Sequence, residues 1–146
     1  IIVDYPSRDE TLEILKRIHF IEEFSIEPVV NVDDIIKIKS MIPYVTISDH
    51  VLNYIVSIVE ESRKHPLVKL GGSPRAAISM LLASKALALI NGRSYVIPDD
   101  VKKIVKPVLR HRIILKPEAE FENIKPDNII DEILRNIEVP TPGVKP

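Results

Sequence analysis

The stretch from Gly71 to Ile90, GGSPRAAISMLLASKALALI, decides how the rest of the chain must fold. Its glycine pair, Gly71 and Gly72, loosens the backbone. Ser73 is a good N-cap and Pro74 a good first helical residue. Arg75 follows at once, and beyond it the run is apolar almost all round as far as Ile90. An arginine at the mouth of a buried helix is an unusual thing to build. Free backbone N–H groups and the positive end of the helix dipole already favour an anion there. A guanidinium adds a planar fork that fits phosphate or carboxylate. The residues by themselves leave two readings open: a helix start that holds an anion, or a well-capped core helix with a solvated arginine.

Outward from this helix, apolar periodicity predicts further helices on both sides. Ser7 and Glu10 form a capping-box pattern ahead of Leu12, Ile14, Leu15, Ile18 and Ile21. Residues 22–30 contain Pro28 and read as a connector. Asn31 caps a second helix with Val32, Ile35, Ile36 and Met41 on its apolar side, and Pro43 ends it. Ser48 caps a third over 49–63, with Val51, Leu52, Ile55, Ile58 and Val59 as its stripe. Residues 65–72 read as a loop. After the central helix, Asn91-Gly92 is a stop signal. Short extended pieces are expected at 45–47 and 94–97, paired with each other. Pro98 opens a helix in which Pro107 should cause a kink or a split near Lys106. Residues 118–125 read as irregular, and Pro126 opens a last helix with Ile129, Ile130, Ile133, Leu134 and Ile137 inward. The expected class is all-α: a helical bundle with minor extended segments.

Composition limits the function. Of 146 residues 45% are apolar, enough for one domain with its own core, and a net charge of −1 supplies no global attraction to nucleic acid or membrane. There is no cysteine, so neither a disulfide framework nor a thiolate metal site is available. The run 76–90 is too short to span a bilayer and is interrupted by Lys85. No signal peptide is visible, and the default is a cytoplasmic protein.

Asp33-Asp34 and Asp99-Asp100 sit in first helical turns, where the dipole explains them. His19, His50, His65 and His111 share no metal spacing. Neither phosphate-binding glycine motif, G-x-x-x-x-G-K-[ST] or G-x-G-x-x-G, is present. Lys102, Lys103, Lys106, Arg110, Arg112 and Lys116 make a basic run without interleaved aromatics, which disfavours single-stranded nucleic acid.

The residues quoted resemble one family closely. GGSPRAAISMLLASKALALINGRSYVIPDDVKKIVKPVLRHRIIL is similar to the C-terminal lid region of MoxR-type AAA+ ATPases. DYPSRDETLEIL is similar to the segment joining their ATPase core to that lid. VTISDHVLNYIVSIVEESRKHP and PDNIIDEIL fit as well, so the resemblance runs from about Asp4 to Pro140. The family more often has alanine where Gly72 stands. The resemblance implies a remnant of the core's last strand and linker over 1–6, a helical lid over 7–138 and a mobile proline-rich tail over 139–146. It implies that Arg75 is the sensor-2 arginine, acting catalytically beside a nucleotide held by the missing core, with Gly72, Ser73 and Pro74 as the loop that presents it. ATP and Mg²⁺ are the implied cofactors, bound mainly by that core. The implied partners are the core of the same subunit, neighbouring subunits of a hexameric ring and a von Willebrand factor A domain. The implied task is chaperone-like remodelling or maturation of a client. With no Walker A or B motif, the chain alone should not hydrolyse ATP. The competing reading is a free-standing helical adaptor that binds protein or nucleic acid through the 102–116 basic face.

Overall fold

A computed structural model describes residues 4–18 and 26–140. The expected strand at 1–3, the end of the first helix at Ile21, His19 and the tail beyond Pro140 lie outside the described residues. The chain divides into two compact units, Ile1–Ile36 and Lys37–Pro146. In the first, helix α1 (Arg8–Arg17) starts on the expected capping box. The Glu10 amide donates to Ser7 Oγ at 3.3 Å and the Ser7 amide to the Glu10 carboxylate at 2.7 Å. These bonds hold the Glu10 carboxyl below its ordinary pKa. Helix α2 (Val32–Met41) opens on Asn31, whose Oδ1 accepts from the Asp34 amide at 2.8 Å. Its last turn tightens into a 3₁₀ segment, Ile42–Tyr44, at Pro43.

The second unit is built on α3 (Asp49–Lys64), α4 (Pro74–Ile90), α5 (Pro98–Leu109) and α7 (Pro126–Asn136). α3 buries Val51, Tyr54, Ile55, Ile58, Val59 and Ser62, the three-and-four spacing of one helical face. α5 contributes Val101, Val105, Val108 and Leu109, and α7 contributes Ile129, Ile130 and Ile133. α4 packs on α3 and α5, and α7 closes the group against both. Aliphatic side chains fill this core, each fully buried isoleucine stabilising it by roughly 1.5–3 kcal/mol.

Four local expectations are revised. The 65–72 segment is not all loop: Val68–Leu70 forms β1, paired antiparallel with β2 (Ile114–Leu115) in the register Val68 to Leu115 and Leu70 to Ile114. Strands of two and three residues are too short to show an alternation. Residues 118–125 are not all irregular, because Pro117–Phe121 forms the short helix α6. Pro107 does not split α5. It sits in the last turn, and the Arg110 amide still reaches the Lys106 carbonyl at 3.1 Å. Finally, α4 is not buried all round: Ala76, Met80, Ser84 and Ala88 face the core, while Ile78, Leu82 and Ile90 are exposed. The two expected extended pieces do meet, through a parallel bridge between Thr46 and Tyr95.

The turn from α4 to α5 is locked by an ion pair between a partly exposed arginine and a buried aspartate. Gly92 adopts φ 71°, the left-handed conformation that ends α4. Arg93 then donates to Asp100 through both terminal nitrogens, at 2.7 and 2.6 Å, and to the Tyr95 carbonyl at 3.0 Å. Asp100 also accepts from the Ile97 amide at 3.0 Å and is only 2% exposed. Burial pushes its carboxyl up, but the Arg93 and Ile97 bonds outweigh it and hold the pKa below the ordinary range. A depressed native pKa means the contribution is complete above the unfolded value, about 3.9, and is lost as pH falls through the native one. Asp100→Ala should cost about 2 kcal/mol near neutrality, because it removes the charge-assisted bonds from Arg93 and leaves the Ile97 amide without its acceptor. Urea unfolding checks this. The difference between variant and parent should shrink on acidification, and a gap unchanged down to the acid limit contradicts the assignment.

Candidate functional site

The start of α4 is positioned by the end of α3. Gly72 is buried, and both of its peptide groups are bonded to consecutive residues of α3. Its N–H donates to Ser62 Oγ at 2.8 Å, and its carbonyl accepts from Arg63 Nε at 2.6 Å. The Ser62 hydroxyl donates in turn to the Val59 carbonyl at 2.6 Å. The glycine pair therefore does not loosen the chain, and neither glycine has a positive φ. It permits close approach. A Cβ at Gly71 would stand 2.5 Å from the Ser62 carbonyl oxygen, whereas one at Gly72 would meet the Leu109 methyl at 3.0 Å and Ser62 Oγ at 3.2 Å.

Ser73 occupies the N-cap position in extended geometry, with Pro74 at the first helical position, as expected. Its hydroxyl, however, makes no capping bond. The first turn of α4 is thus left with donors that its own cap does not satisfy. In front of it lies an open cleft of about 330 Å³ lined by Arg63, Lys69, Leu70 and the Gly71–Pro74 segment. The lining holds two cations and no carboxylate. Arg75 is the next residue along; it is exposed and, among the described residues, pairs with no acidic group. Gly72, Ser73 and Pro74 line this cleft, whereas Arg75 follows them in the first turn of α4 and is not part of its lining. The donor set fits an anion such as phosphate, and it offers no oxygen cage for a divalent cation.

The other candidates are used structurally. In the basic run, Lys106 pairs with Asp131 at 2.7 Å, Arg110 with Asp127 at 2.6 Å and Lys102 with Asp99 at 3.3 Å, and Arg112 caps the Val108 carbonyl. Four of its six cations are therefore occupied by local partners, two of them tying α5 to α7, so the face left for an acidic ligand is small. His50 and His111 are exposed and separate, and no cluster of three metal-ligating side chains occurs among the described residues. His65 shares a pocket with Ser57 and Glu132. Its Nδ1 accepts from the Leu67 amide at 3.3 Å and its Nε2 lies 3.6 Å from the Glu132 carboxylate. Nδ1 is taken by the Leu67 amide and Nε2 has no hydrogen-bond partner, Ser57 included, so no nucleophile–base hydrogen bond is formed here. Sequence reasoning missed Ser62 and Arg63. Their only signal was a serine and an arginine closing a helix ahead of a glycine pair.

Comparison with known proteins identifies the family of the fold. A family model described as the AAA lid domain matches residues 60–133, a span that contains α4 and its mouth. The uncharacterized protein YeaC of Bacillus subtilis is 41% identical over 139 residues, covering 93% of this chain and 43% of the relative. The chaperone MoxR1 of Mycobacterium tuberculosis is 30% identical over 99% of this chain and 40% of its own length. A crystal structure of an assigned ATPase from Cytophaga hutchinsonii superposes with a TM-score of 0.78 at 33% identity, over 95% of this chain and 45% of that one. The chain spans less than half the length of each of these relatives.

Proposed function

The chain belongs to the AAA lid domain family as the lid portion of a MoxR-type AAA+ ATPase, and from that premise we propose that Arg75 is the sensor-2 residue, contacting the γ-phosphate of ATP bound by the core of the same subunit. One observation carries the reading: an exposed arginine, without an acidic partner among the described residues, in the first turn of α4, whose N-cap Ser73 makes no capping bond. ATP with Mg²⁺, held by the core, supplies the phosphoanhydride whose terminal charge shifts during transfer. Arg75 meets that charge with a planar fork, and a preformed contact of this kind favours the transition state without reorganisation. The rigid connection from α3 through Gly72 to α4 lets the lid follow the nucleotide as a body. Neighbouring subunits of a hexameric ring would pass that motion to a client, with a von Willebrand factor A protein as a candidate partner and the cytoplasm as the setting.

Two measurements test the reading. The 146-residue chain alone should show no ATP turnover above background, because it contains no Walker motif; hydrolysis by the purified chain would overturn it. In the full-length ATPase that bears this lid, Arg75→Ala should weaken ATP binding about tenfold, the worth of one charge-assisted phosphate contact, and leave ADP affinity unchanged. Equal losses for both nucleotides would place Arg75 away from the γ-phosphate.

A further inference from the structure

Arg63 sits in the last turn of α3, and its Nε, not its terminal fork, is the atom that holds the chain entering α4. The bond to the Gly72 carbonyl works together with the Ser62 bond to the Gly72 amide, so the peptide units on either side of Gly72 are fixed from one helix end. The jammed Gly71 removes the remaining slack. The nearby carboxylate of Glu61 is taken by Lys64 at 2.9 Å and does not compete for Arg63. Arg75 follows only three residues after Gly72. The direction in which the first turn of α4 presents its guanidinium is therefore set by where Gly72 is held.

We propose that Arg63 is a positioning residue for Arg75: its Nε–H···O bond to Gly72 fixes the loop from which Arg75 reaches the phosphate. The proposal rests on the reading of Arg75 given above. It treats the charge of Arg63 as secondary and the single N–H as the working part. Small misplacements of a group that stabilises a transition state lower turnover more than they lower substrate binding.

The side-chain chemistry supplies a clean test. Glutamine carries an amide nitrogen at the same chain position as arginine Nε, so Arg63→Gln keeps the donor and removes the charge, while Arg63→Met keeps the stem and removes both. In the full-length ATPase, Arg63→Met should lower kcat about tenfold with KM for ATP within about twofold, and should speed hydrogen exchange at the amides of residues 71–75. Arg63→Gln should restore kcat to within about twofold and return the exchange to the parent rate. Added to Arg75→Ala, the Met change should cost nothing further, because both remove one interaction. The proposal is overturned if Arg63→Met turns over like the parent, if Gln falls as far as Met, or if the two losses add. Should Arg75→Ala alone leave turnover intact, the phosphate reading itself fails, and that result is separate from whatever the loop exchange shows.

Discussion

Arg75→Ala in the full-length ATPase should lower kcat by about a hundredfold, the scale seen when one preorganised donor to a developing charge is removed. The lid itself should stay folded. Arg75 is exposed and makes no ion pair among the described residues, and surface changes of that sort stay within about 0.5 kcal/mol. Arg75→Lys should recover only part of the loss, because an ammonium offers a point charge in place of a planar fork. Steady-state ATP hydrolysis with a parallel urea titration separates the two effects. Parent-level turnover in the alanine variant removes Arg75 from the chemistry. A large loss of stability would instead mean that α4 depends on it for folding.

The second large effect falls on the glycine pair, and the two positions should behave differently. Gly71→Ala forces a methyl to within 2.5 Å of a backbone oxygen of α3, which only a backbone shift relieves; the cost should reach about 3 kcal/mol, the upper end for overpacking. That shift moves Gly72 away from Ser62 and Arg63, so turnover of the full-length enzyme should fall along with stability. Gly72→Ala meets the end of the Leu109 side chain and a hydroxyl at 3.0 and 3.2 Å, and both can give by a few tenths of an ångström. Its cost should stay below about 1.5 kcal/mol, with turnover largely kept. Urea midpoints of the two variants check the order. Equal destabilisation, or a worse Gly72 variant, contradicts the close-approach account of this loop.

Much of the scaffold was legible because it rests on local rules. Ser7 with Glu10, Asn31, Ser48 and the proline-opened helices at 74, 98 and 126 all begin where capping chemistry places them. The stripes of α3 and α7 repeat at helical spacing and are the faces that became buried. What stayed hidden depends on contacts between distant residues. The dipole accounts for an aspartate at position 100, but not for its bidentate bond to Arg93, which only the turn at Gly92 brings into reach. The basic run looked available because its partners, Asp127 and Asp131, lie on a different helix. The glycine pair looked flexible because nothing local reveals that Ser62 and Arg63 press against it. The placement of Arg75 at a helix mouth was readable. Its supporting shell was not, and the uncapped Ser73 could not be told from a capped one.

The most direct measurement is the structure of the full-length ATPase with a non-hydrolysable ATP analogue and Mg²⁺. The account predicts a guanidinium nitrogen of Arg75 within about 3 Å of a γ-phosphate oxygen, with Gly72 still bonded to Ser62 and Arg63. An Arg75 side chain paired with a carboxylate, or turned to solvent while the γ-phosphate is held by other groups, would contradict it.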